Sequence, residues 1–308
     1  MSEMAIETRG LTRRFGRLTA VDEIELRVPV GSVYGFLGRN GAGKTTTIQM
    51  LMGLIEPSGG EMSVLGFDPL REDVAMKRVV SYVPERVQMY DWMRVREMAW
   101  FGANIHPNWD DALAGELIER FDLPLDRRVG ALSRGMQGKL ALALAMSSRP
   151  KLLILDDPTS GLDALVRREF MESIVALLQE AGTTVFFSSH IIDDVERVAD
   201  WVGIIDEGRL LVQARAEELK GQVKRVVVSF AEDAGRPEIE GLLQSEASGR
   251  QWVLTYGSFD EEHRLGLEGL GPTSISVEDC SLEDIFVAHV RTAGNRAWGM
   301  GDGERHTA

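Results

Sequence analysis

The chain has 308 residues, 44% of them hydrophobic and 27% charged, the proportions of an ordinary globular protein with room for about two domains. Its formal net charge of −14 argues against holding nucleic acid through an overall field and disfavours direct attraction to anionic lipid. No apolar stretch approaches the roughly 18 residues of a membrane span and no signal-peptide pattern opens the chain; the single cysteine, Cys280, forbids an internal disulfide and reads as a buried small hydrophobe in a reducing, cytosolic compartment.

In chain order, Met4 to Thr8 and Ile24 to Val28 read as an antiparallel edge. Short apolar runs follow without polar alternation: Val33 to Leu37, Val79 to Val83, Leu152 to Leu155, Val185 to Phe187 and Val202 to Ile205. These predict strands buried on both faces, and the helical segments between them predict an α/β domain with a mostly parallel sheet, over residues 1–220. Met89, Tyr90, Trp92, Met93, Trp100, Phe101 and Trp109 crowd a helical insertion at about 89–145. Within it Leu140, Leu142 and Leu144 alternate as in a strand, yet Ala, Leu and Met are strong helix formers and Ser133 is placed to cap a helix. From 222 to 290 the runs Val223 to Phe230, Gln251 to Tyr256 and Ser274 to Val277, then a Ser281-capped helix, predict a small α+β appendage. Residues 291–308 predict a flexible tail.

Gly38-Arg39-Asn40-Gly41-Ala42-Gly43-Lys44-Thr45 spells G-x-x-x-x-G-K-T directly after the first buried strand. Its glycines let backbone N–H groups close on phosphate, Lys44 reaches β/γ oxygens, and Thr45, followed by Thr46, sits where a hydroxyl meets Mg²⁺. The pattern implies binding of ATP or GTP. The strand Leu152 to Leu155 ends in Asp156, a carboxylate placed to hold Mg²⁺ beside those phosphates, and Asp157-Pro158-Thr159-Ser160-Gly161-Leu162-Asp163 follows.

Taken in order, these segments resemble the nucleotide-binding subunit of ATP-binding cassette (ABC) transporters, over residues 3 to about 220. Leu132-Ser133-Arg134-Gly135-Met136 stands where that family has its signature, Ser160 to Asp163 resembles its D-loop, and His190 its switch histidine. Phe15 falls where an aromatic stacks on adenine, which points to ATP, and Glu85 takes the place of the Q-loop glutamine. The resemblance implies a P-loop NTPase fold of ABC type and a catalytic set of Asp157, His190 and Lys44. Nucleotide is held by Phe15 and Gly38 to Thr46 and, across a dimer, by Ser133, Gly135 and Asp163; Mg²⁺ is held by Thr45, Glu85 and Asp156. It also implies a second ABC subunit, identical or different, and a transmembrane permease that keeps this chain at the inner face of the membrane. Apolar residues around Met89 to Met93 are the expected permease contact.

Four positions depart from the pattern. Arg134 replaces a glycine and either points away from phosphate or adds a cation to it, and Met136 replaces the signature glutamine; Glu85 brings a charge where a neutral amide is usual. Asp157 stands where the family carries a glutamate, which reads either as slow hydrolysis, the arm being one methylene short, or as tolerated variation. The leading reading is the motor of an exporter-type transporter. A slow regulatory or mechanical switch on a membrane complex is the alternative.

Overall fold

The computed structural model describes residues 4–163, 166–168, 170–172, 174, 182–232 and 241–298. They divide into two compact units after Gln213.

The first unit opens with β1 (Met4–Phe15), flanked by β2 (Leu18–Ile24), β3 (Arg27–Pro29) and, after β4 (Val33–Gly38), by β5 (Gly59–Val64), all antiparallel to β1. The strand expected from Ile24 to Val28 is broken. Thr8 Oγ1 donates to Ile24 O (2.7 Å) and accepts from Leu26 N (2.8 Å), so a buried hydroxyl replaces the ladder where β2 passes into β3. β5 was not anticipated, because Gly-Gly-Glu-Met-Ser-Val carries little apolar signal; its first three residues are exposed.

The second sheet has the order β10-β9-β4-β8-β7-β6, with β6 (Val80–Val83), β7 (Leu152–Leu155), β8 (Thr184–Ser189), β9 (Trp201–Asp206) and β10 (Arg209–Arg215). From β9 to β6 every neighbouring pair is parallel, as the apolar runs without polar alternation predicted. Tyr34, Phe36 and Phe186 pack with ring centroids 5.4–5.5 Å apart at its centre. After α1 (Lys44–Leu51) and the short α2 (Asp73–Met76), the insertion supplies α3 (Val95–Ile105), α4 (Asp111–Arg120) and α5 (Arg134–Ser147). Trp109 packs on Gly102 of α3 so closely that a β-carbon there would come within 2.6 Å of the indole. Leu140 and Leu142 are buried on α5, and Ser133 Oγ accepts from Met136 N at 3.2 Å as its cap.

The second unit is an antiparallel sheet in the order β12-β13-β11-β14, formed by β11 (Lys224–Ser229), β12 (Leu242–Ser248), β13 (Gln251–Tyr256) and β14 (Ser274–Asp279). Val226, Val228, Leu254, Tyr256 and Leu267 form its core. β12 and the helix Glu261–Glu268, capped by Asp260 Oδ1 on His263 N (3.0 Å), were not foreseen in these polar sequences. The final helix, Leu282–Trp298, is capped by Ser281 as expected, Asp284 N donating to Ser281 Oγ at 3.1 Å. It corrects the tail: Arg291, Ala293, Arg296 and Ala297 are good helix formers and carry the helix past 290, while 299–308 lie outside the described residues. Cys280 is buried and unbridged.

Candidate functional site

In a parallel sheet all strands end on the same edge, and ligands of such folds bind beyond those carboxyl ends. Here β4, β8, β7 and β6 lie side by side, so their C-terminal continuations are neighbours: the glycine loop after β4, Ser189-His190 after β8, Asp156-Asp157 after β7, and Pro84-Glu85 after β6. A cavity of about 510 Å³ results. Its walls include the β1–β2 hairpin tip (Phe15, Leu18), the glycine loop and the start of α1 (Asn40 to Thr46), and Glu85, Asp157, Ser160 and His190.

The loop needs glycine both for its backbone conformation and for its close packing on the β1–β2 hairpin. Gly41 and Gly43 take φ of +83° and +106°, in the range that favours glycine. A β-carbon on Gly43 would approach Ala20 O to 2.6 Å, and one on Gly208, whose N–H donates to Ala42 O (3.0 Å), would approach the same carbonyl to 2.9 Å. Lys44 is buried, its ammonium donating to Gly38 O (2.7 Å) and Arg39 O (3.0 Å). Burial pulls its pKa down, against the pull of Asp157, Asp156 and Glu85.

Behind the loop runs a chain of hydroxyls and carboxylates. Thr45 Oγ1 and Ser188 Oγ both donate to Asp156 Oδ1, at 3.2 and 2.8 Å, and Asp157 N donates to Ser188 Oγ at 2.9 Å. His190 Nδ1 lies 2.6 Å from Asp157 Oδ2, so the imidazole N–H donates to the carboxylate. Asp157 Oδ1 is buried and has no hydrogen-bond partner among the described residues. Burial raises the pKa of both aspartates; hydrogen bonds from Ser188 and Thr45 oppose the rise at Asp156, and His190 opposes it at Asp157. Asp157 itself adopts φ +45°, a left-handed conformation that aspartate tolerates better than most residues.

Not every anticipated residue joins this cavity. Ser133 and Gly135 belong to the first turn of α5, and Asp163 Oδ1 accepts from Val166 N at 3.0 Å, capping the chain that follows; none of the three lines the cavity. Ser188 was missed by sequence reasoning although it joins both aspartates, because a serine in a buried strand carries no local signal. Thr159 and Asp194 were missed likewise: their 2.7 Å hydrogen bond, with Arg167 Nε 3.5 Å from Asp194, ties the segment after Asp157 to the helix Ile192–Val198.

A family profile described as "ABC transporter" matches residues 21–160. The bacitracin transport ATP-binding protein BcrA of Bacillus licheniformis is 32% identical over 295 residues, covering 92% of this chain and 96% of its own. The chain belongs to the ABC transporter ATP-binding subunits. The daunorubicin/doxorubicin resistance ATP-binding protein DrrA of Streptomyces peucetius is 36% identical over 322 residues, with 92% of each chain covered. Alignments this long necessarily run past Gln213 into the second unit. Among solved structures, cbiO1 from Clostridium perfringens, described as part of the ABC transporter complex cbiONQ, superposes with a TM-score of 0.63 at 27% identity, covering 70% of this chain and 90% of that one.

The fold of this ABC subunit fits the groups its family implies. A glycine-rich loop that runs through positive φ at Gly41 and Gly43 and lines the cavity suits polyphosphate, and the neighbouring Thr45 hydroxyl and Asp156 carboxylate are hard oxygen donors of the kind Mg²⁺ takes. Among the described residues no cluster of three or more His, Cys, Asp or Glu could hold a metal alone. No helix among them is long and apolar enough to cross a membrane. Beyond Glu85, Tyr90 and Trp92 are exposed with rings 5.8 Å apart, Trp100 is exposed, and Met93 is buried.

Proposed function

We propose that this subunit binds and hydrolyses ATP as the motor of an ABC exporter, two cassettes closing on two nucleotides and driving a separate permease. The observation that carries the reading is the composition of the 510 Å³ cavity: Phe15, the glycine loop, Glu85, Asp157 and His190 share its walls, whereas Ser133 and Gly135 do not. The first turn of α5 attracts an anion, and the nucleotide it meets belongs to a second cassette. An identical or a different partner satisfies this arrangement.

Within the cavity Phe15 stacks on adenine, and Asn40 to Thr46 with Lys44 bind the phosphates. Thr45, Asp156 and Glu85 hold Mg²⁺, directly or through water; when bound, that ion neutralises charge on the phosphate oxygens. Asp157 Oδ1, the buried oxygen without a partner, accepts the proton of the attacking water. His190 fixes the other oxygen, and the second nitrogen of its ring is left to face the γ-phosphate. The exposed Tyr90 and Trp92 receive the permease, which keeps the chain at the inner face of the membrane. The relatives named for bacitracin transport and daunorubicin resistance support outward transport, with the cargo selected by the permease.

Asp157 carries the one specific argument for the slower, switch-like reading, since its arm is short for a general base. Asp157→Glu is expected to raise steady-state turnover; an unchanged or lower rate counts against slow hydrolysis. The function as a whole is tested by calorimetric ATP binding to the isolated chain and by ATPase assays with and without the co-purified permease. Absence of ATP uptake overturns the reading. Hydrolysis indifferent to the permease rejects the transport motor in favour of the switch.

A further inference from the structure

Two of the departures from the family pattern, Glu85 and Arg134, are far apart in sequence but line the same cavity of about 540 Å³, on the side of the D-loop away from the glycine loop. Between them stand Ser160 and Gly161, which line it too. Ser160 Oγ donates to Glu85 Oε1 at 3.4 Å, and a β-carbon built on Gly161 would lie 3.4 Å from Arg134 Nη1. The guanidinium therefore lies near the left-handed turn at Gly161 (φ +74°), on its own chain.

A cation is an odd choice at this place. Arg134 is the first residue of α5, where the helix dipole disfavours positive charge, and the first turn contains no acidic residue to offset it. Arg134 also has no hydrogen-bond or ion-pair partner among the described residues, and it is exposed. Local helix stability thus gives no reason for it. Across the cavity Glu85 adds a negative charge to a site that already buries Asp156 and Asp157. The cavity's other cation, Arg86, follows Glu85 in the chain and travels with it, so it cannot link that loop to α5.

We propose that Arg134 is a positioning residue paired with Glu85 across the D-loop: one charge on the signature helix balances one on the loop after β6, and the two hold Ser160-Gly161 between them. The pair replaces the neutral glycine and glutamine of the family pattern as a unit. Through Glu85 it ties the orientation of the signature helix to the loop that precedes the exposed aromatic patch. The proposal rests on the ATPase reading above.

A double-mutant cycle on the full chain tests it, with ATPase kcat and KM measured for wild type, Arg134→Gly, Glu85→Gln and the double variant, and Arg134→Lys as a charge-retaining control. Arg134→Gly is expected to lower kcat by about threefold to tenfold when Glu85 is present and by less than about twofold when Gln stands there. Arg134→Lys keeps most of the rate, and added salt narrows the difference between backgrounds. Equal losses in the two backgrounds overturn the pairing, as does an equal rise in KM, which assigns Arg134 to phosphate instead. Because ATP binding and wild-type hydrolysis are read in the same series, failure of the pairing is distinguishable from failure of the ATPase reading. Thermal melting of each variant separates a folding defect from a change in rate, and Arg134→Lys carries the test should the glycine variant fail to fold.

Discussion

Asp157→Asn is expected to lower steady-state ATP hydrolysis by on the order of 10²–10⁴ while ATP binding persists. The carboxylate has one oxygen occupied by His190 and the other buried without a partner, in a residue that lines the cavity, so its remaining capacity is that of a proton acceptor. An amide of the same shape keeps the packing and loses the basicity. The pH dependence follows with a definite sign. A general base acts only when deprotonated, and burial has raised the pKa of Asp157 above the ordinary 3.8, so log kcat/KM climbs with pH through a limb lying above that value. His190 opposes the rise by hydrogen bond and charge; His190→Ala therefore moves the limb to higher pH as well as lowering the plateau. Wild-type turnover in the asparagine variant, or a limb that stays in place when His190 is removed, would refute the assignment.

Lys44→Ala is expected to lower kcat/KM for ATP by on the order of 10²–10³ and to remove most of the thermal stabilisation that ATP confers. The ammonium is buried and already stripped of water, which is why its pKa falls, and the carbonyls of Gly38 and Arg39 hold it at the loop. A phosphate meeting that group needs little reorganisation to bind it. Alanine leaves the glycine cradle intact, so weak residual binding with hydrolysis lost is the expected pattern, read by calorimetry and by melting with and without ATP. An alanine variant that hydrolyses ATP normally would place the phosphates elsewhere.

The legible parts of this chain were those in which one short segment carries its own signal. Five short apolar runs without polar alternation located the parallel strands, and the glycine loop, Asp156 and His190 each sit directly after one of them, so finding the strand placed the residue. What escaped was held by partners remote in sequence. Ser188 acquires its role only because β8 lies between β4 and β7, and β5 and β12 are strands by virtue of the neighbours they pair with rather than their own composition. The neighbourhood of Arg134 was open in sequence because Gly161, a turn, reaches it only through the fold.

The carbonyl of Ala20 is gripped from two sides, by Gly43 of the phosphate loop and by Gly208 in the turn after β9. Ala20 belongs to the same hairpin whose tip presents Phe15 and Leu18. On the nucleotide reading proposed above, the hairpin that would carry the base and the loop that would carry the triphosphate are therefore packed directly against each other. A tilt of that hairpin would press Ala20 onto the glycine loop, which ties the two ends of the proposed nucleotide site to one another.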